Sequence, residues 1–283
     1  KRLNRDKGTI SRELRRNKGA RGYRPTQAQA MAQERAKRGG RRTFTDAMRV
    51  EIAERLRKGW TPAIISGRAH HEGRAMISRE WIYRYIYAEG KAGNDLWIKL
   101  PRAKRKRHRR CPRQDGRGRG QIPNQRRIDL RPEVVDKRER VGDWEGDLMS
   151  GAPGTGHLAA MVERGSLYTL VGRVGSKEAE EVNDCIAETF DDRSIPASVR
   201  LTMTLDNGKE FTLHEALTVR TGLEIFFAQP YHSWERGTNE NTNGLIRRLY
   251  PKGSSFADLD ETKLAEIEAY LNDRPRQRLG WRT

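Results

Sequence analysis

Between residues 201 and 252 the chain alternates in a way that leaves few folds open. Leu201, Met203 and Leu205 alternate with threonines up to Asp206, the mark of a strand with one apolar face. Asn207-Gly208 is a turn signal, so Asp206 is expected at the strand's carboxyl end. A helix over about 213–220 comes next, then a second apolar run, Ile225 to Ala228, closed by Pro230. A polar helix follows, carrying Glu240 and stopping before Pro251. Strand, helix, strand and helix in one short stretch read as part of an α/β sheet.

The rest of the sheet is sought upstream. Segments 144–149, 158–163 and 167–174 read as successive strands joined by Gly-containing turns. Ser176 is expected to start a helix with Ala179, Val182, Ile186 and Phe190 on one side, and a last helix packs Leu264, Ile267 and Leu271. In GDWEGDLM, Asp143, Glu145 and Asp147 alternate on one strand face, so spacing does not choose among them. Glu210 and Glu235 compete with Glu240, which has Asn243 and Arg247 at i+3 and i+7 on its own helix face. There the amide and the guanidinium could hold a phosphate or the carboxylate. Two strand-end aspartates and a helix-borne glutamate suit two-metal phosphoryl transfer, in which two ions roughly 4 Å apart activate the attacking oxygen and stabilise the leaving one. Mg²⁺ takes a few carboxylates plus water and substrate phosphate, so three acids suffice.

Charge divides the chain. Residues 1–140 hold 41 Lys and Arg against 15 Asp and Glu, whereas residues 141–283 hold 16 against 23. A basic half suited to backbone phosphate and a mildly acidic half suited to metal are thus separate. Cys111 and Cys185 are isolated, and the only adjacent histidines, His70-His71, point apart on a helix, so neither a disulfide framework nor a zinc site is expected. No apolar run approaches the roughly 20 residues of a membrane helix. A soluble, cytoplasmic (nucleoid-associated) protein with no membrane partner is the expectation.

In the basic half, KRLNRDKGTISRELRRN predicts a helix capped by Thr9, with Ile10 and Leu14 on one face and Arg12, Arg15 and Arg16 on the others. Residues 23–38 read as an Ala/Gln-rich helix and 39–42 as a linker. Residues 44–90 then predict three short helices. One starts at Phe44-Thr45-Asp46, one at Thr61-Pro62 with Thr61 as N-cap, and one at Ser78. Trp81, Ile82, Tyr85 and Ile86 are expected to pack, leaving Arg79, Tyr83 and Arg84 outside. This is what a helix-turn-helix domain of that size requires. Residues 91–140 read as a linker, because 101–120 contains ten basic residues and one acid together with Pro101 and Pro112. Arg105 and Arg107 are expected along DNA phosphates, each contact releasing counterions.

The motifs WEGD (144–147), LDNGKEF (205–211) and PYHSWERGTNENTNG (230–244) resemble those of bacterial insertion-sequence DDE transposases, more narrowly the insertion-sequence-thirty family. The likeness extends to PKG (251–253) and RPRQRLGWRT (274–283) and covers nearly the whole chain. It implies a multidomain protein: all-α helix-turn-helix modules, partial at 1–43 and complete at 44–90, a linker, and an α/β ribonuclease-H-like core at 141–283. The family's triad falls on Asp147, Asp206 and Glu240, as catalytic residues and ligands of two Mg²⁺ ions, with Mn²⁺ able to substitute. Asn207, Asn243 and Arg247 are expected to support it. Ser11, Arg12, Arg15, Arg16, Arg79, Tyr83, Arg84, Arg105, Arg107 and Lys252 are the expected DNA contacts. The resemblance implies binding of terminal inverted repeats and of target DNA, strand cleavage and strand transfer, and a homodimer or larger synaptic assembly. A nuclease of the same fold or a transposase-derived repressor are the rival readings.

Overall fold

A computed structural model of the chain describes residues 5–20, 22–38, 44–100, 122–229 and 233–283. The first helix, α1 (Lys7–Asn17), is capped by Asp6, whose carboxylate accepts from the Gly8 N–H, and not by Thr9. Aspartate accepts as well as threonine does and sits where the backbone is still extended, φ −62° and ψ 139°. A two-residue ladder, β1 (Lys18–Gly19) with β2 (Gly22–Tyr23), precedes α2 (Pro25–Arg38). Tyr23 therefore belongs to a strand and Pro25 opens the helix, where its missing N–H costs nothing. Asn17, fully buried, joins the two helices by accepting from Arg35.

Helices α3 (Asp46–Arg57), α4 (Pro62–His71) and α5 (Arg79–Lys91) follow, with Thr45 and Thr61 as side-chain caps of the first two. Their core joins Ile52, Leu56, Ile65, Ile82 and Ile86. Ile82 and Ile86, one turn apart, take the inward face of α5, which leaves Trp81 55% exposed, against the expectation that it packs. Tyr83, expected outside, is instead partly buried against that core. The presumed linker is also partly folded. Leu96 and Leu100 belong to the same core, and Ile122 to that of the sheet. Residues 126–127 add a bridge beside residue 227, and α6 (Glu133–Lys137) follows. Arg105 and Arg107 lie outside the described residues.

The remaining strands are β3 (Asp143–Ser150), β4 (His157–Glu163), β5 (Thr169–Val174), β6 (Thr202–Leu205) and β7 (Glu224–Phe227). They form one sheet in the order β5-β4-β3-β6-β7. Within it β3–β4 and β4–β5 are antiparallel, β3–β6 and β6–β7 parallel. On one face α7 (Ala179–Asp192) packs Val182, Ile186 and Phe190 on Trp144, Met161 and Met203, with α8 (His214–Thr221) beside it. Helix α7 starts after Glu178, three residues later than Ser176 predicts. The other face is covered by α9 (Gly237–Leu249) and α10 (Glu261–Asn272), through Ile246, Leu264, Ile267 and Leu271. No described helix is long and apolar enough to cross a membrane.

The segment after α10 reaches back to the helical domain. Arg274, 6% exposed, donates to the Gly59 carbonyl, and the Trp281 carbonyl accepts from Arg68 at 2.9 Å. The Trp281 ring lies against Gly67 on α4, so close that a Cβ there would sit 2.2 Å from it. Gly67→Ala is therefore expected to push the ring off α4 and to cost roughly 1–3 kcal/mol. Denaturant unfolding followed by tryptophan fluorescence measures this; an unchanged midpoint would show that the two domains do not bear on each other here.

Candidate active site

Period-two alternation puts Asp143, Glu145 and Asp147 on the α9 face of β3, and Thr202 and Thr204 on the same face of β6. The parallel register pairs Asp143 with Thr202 and Glu145 with Thr204. Continued by two residues, it brings Asp147 level with Asp206. At that point β6 ends, while β3 runs on to Ser150 paired with β4 alone. The two aspartates thus flank the crevice where parallel pairing stops, the place where open α/β sheets offer ligand sites. Gly146 between the acids faces the other core, where a Cβ would meet Leu205 at 2.5 Å, so that position admits no side chain.

The three β3 acids differ in how they are neutralised. Asp143 is fully buried; it accepts two 2.9 Å bonds from Arg140 and one of 2.8 Å from Thr202. Glu145 is equally buried and pairs with Arg164, while its second oxygen accepts from the Asn239 N–H at 2.9 Å. Both are structural charges. Only Asp147 approaches solvent, its side chain 22% exposed. Its Oδ1 accepts from Arg236 at 2.9 Å and its Oδ2 from Asn243. Burial raises its pKa and the charge of Asp206 adds to that, against the opposing pull of Arg236 and Asn243.

Asp206 follows β6 directly. Its Oδ1 accepts from the Gly208 N–H at 3.0 Å, fixing the turn, and its Oδ2 accepts from Arg236 at 3.2 Å. One guanidinium therefore spans both aspartates. Burial opposes the Arg236 charge, but the two carboxylates outweigh it and its pKa is raised. Asn207 is a brace, donating to the Ala228 carbonyl at 2.7 Å and accepting from Gln125 at 2.8 Å.

Helix α9 carries the remaining candidates. Glu240 is exposed in its first turn, one turn before Asn243. Among the described residues no three His, Cys, Asp or Glu side chains stand close enough together to hold a metal ion. The structure thus joins Asp147 to Asp206, with Asn243 as the link to the helix that carries Glu240. Arg247 makes no hydrogen bond to the acids among the described residues. It donates to the Ser150 carbonyl at 2.7 Å and lies over Phe256. Glu235 accepts from the Gln229 N–H at 2.8 Å and so ties a loop. Lys252 is exposed, as are Ser11, Arg12, Arg15 and Arg16 on α1 and Arg84 on α5. Arg12 folds back onto the Gly8 carbonyl at 3.0 Å, and Arg79 pairs with Glu80 at 3.3 Å. Arg236 is the site residue that sequence reasoning missed, although it stands four residues before Glu240 in a motif already singled out.

No family profile matches the chain. It is 40% identical over 281 residues to the transposase for insertion sequence element IS4351 of Bacteroides fragilis, covering 98% of this chain and 85% of that protein. It is 38% identical over 291 residues to transposase InsI for insertion sequence element IS30A of Escherichia coli (strain K12), covering 99% of this chain and 75% of that protein. Among solved structures, the catalytic core domain of BIV integrase aligns with a TM-score of 0.35 at 19% identity, over 48% of this chain and 86% of that one.

Proposed function

Since the chain belongs to the IS30 family of insertion-sequence transposases, we propose that it binds the terminal inverted repeats of its element and cuts and joins DNA there through Asp147, Asp206 and Glu240. One observation carries the assignment of the acids: Asp147 and Asp206, far apart in sequence, share a single cation at the open end of the parallel strands. Both carboxylates turn toward one cation between them, and carboxylates are the donors that Mg²⁺ or Mn²⁺ prefers. Glu240, on the helix that Asn243 fastens to Asp147, completes the ligand set. Bound there, two such ions supply an activated oxygen nucleophile and stabilise the leaving oxygen. The chain's own part is to hold the carboxylates. Asn243 orients Asp147, and the Gly208 N–H orients Asp206.

The mixed sheet and its flanking helices are in keeping with a ribonuclease-H-like core, and the α1–α2 and α3–α5 units with DNA-binding modules. On α5 the exposed side chains include Arg79, Trp81 and Arg84, the last lying over the Trp81 ring. Tyr83, partly buried, contributes to the packing beneath them. Two copies of the chain or more are expected to hold two ends together. The deciding experiment supplies a pre-cut end duplex and a target duplex with Mg²⁺. Joined product is expected from the full chain; cutting without joining would mean a nuclease, and binding without either a repressor.

A further inference from the structure

The Arg236 guanidinium occupies the space between the two aspartates, Nη1 on Asp147 at 2.9 Å and Nη2 on Asp206 at 3.2 Å. Nη1 also lies 3.4 Å from the Gly146 carbonyl, and the buried Nε has no hydrogen-bond partner. A divalent ion bound by the same two oxygens has to stand where this group stands. Like charges at such range repel strongly in a partly buried site, so the two occupants exclude each other. Arg236 is the residue before α9, with φ −117° and ψ 38°, outside the helix that carries Glu240 and Asn243.

Resting on the assignment of Asp147 and Asp206 as metal ligands, we propose that Arg236 is their resident counter-ion, which metal has to displace and which DNA draws away. It keeps two neighbouring carboxylates together when no metal is bound. A duplex entering the crevice offers the freed guanidinium phosphate oxygens in exchange, so metal loading and DNA binding favour each other. In the absence of DNA the same arginine holds metal affinity down, and the chain is poorly armed until an end is seated.

The test measures Mn²⁺ binding to the full chain, by the loss of the free-ion paramagnetic signal, with and without an end duplex. Arg236→Gln is expected to bind Mn²⁺ about tenfold more tightly than wild type without DNA, and Arg236→Lys to stay close to wild type. Adding DNA should tighten the wild type more than the Gln variant. A Gln variant no tighter than wild type overturns the proposal, provided that Asp147→Asn and Asp206→Asn weaken Mn²⁺ binding. If neither of those variants weakens it, the ligand assignment itself has failed. Should Arg236→Gln not fold, amide exchange of residues 236–243 in the wild type decides. Mn²⁺ is expected to change it, and no change overturns the proposal.

Discussion

Asp147→Asn is expected to lower both strand cleavage and joining in Mg²⁺ by at least about a thousandfold, while binding of an end duplex stays within about twofold of wild type. Asparagine keeps the shape of the side chain and its one amide oxygen can still accept from Asn243, so β3 and α9 stay in register, while the charge and the bond from Arg236 are lost. That charge is what the proposed site needs, since loss of a carboxylate from a metal site would weaken both the activation of the attacking oxygen and the stabilisation of the leaving one. Glu240→Gln is expected to match it. Glu235→Gln should instead loosen the Gln229 loop that Glu235 ties and leave the chemistry in place. If Glu235→Gln abolished joining and Glu240→Gln did not, the third acid would be misassigned.

Arg164→Met is expected to have the largest effect on stability. Arg164 is 5% exposed and is the cation paired with Glu145, whose second oxygen accepts from the Asn239 N–H. Removing one member of a buried pair strands the other, at about 3–5 kcal/mol, which for a chain of this size corresponds to a fall in melting temperature on the order of 10 °C. Thermal unfolding of the variant beside wild type checks this, and an unchanged melting temperature would show that the pair does not hold the sheet to α9.

Period carried most of the sheet. The strands of the core and helices α7 to α10 follow from alternation, helical spacing and breakers, and so does the cap Thr61. Of the candidate site, the motifs single out Asp147, Asp206 and Asn243, and the structure brings these three together. What stayed hidden depends on partners distant in sequence. Asp143 reads as a surface charge because charge is usually solvated; nothing local reveals that Arg140 and Thr202 enclose it. Glu145 was one of three equivalent alternating acids until Arg164 set it apart. Trp81 failed for a different reason. An aromatic residue next to an isoleucine pair looks like core, but adjacent helix positions point about 100° apart, and Ile82 and Ile86 had taken the inward direction. Arg236 was visible in the motif, yet an arginine beside acids on paper says nothing of a guanidinium shared between two strands.

The contact of residues 274–283 with α4 bears on how members of the family can be recombined. Arg274 and Trp281 come from the half of the chain that holds the five-stranded sheet, yet their partners are Gly59, Gly67 and Arg68 of the helical half. A chimera that takes residues 44–100 from a relative and keeps the remainder therefore pairs a borrowed α4 with a foreign tryptophan. Grafts meant to redirect such an enzyme to another element's ends should function when donor residues 274–283 travel with the donor helices. A seam drawn at the basic segment alone would cut through a contact surface that linear order conceals.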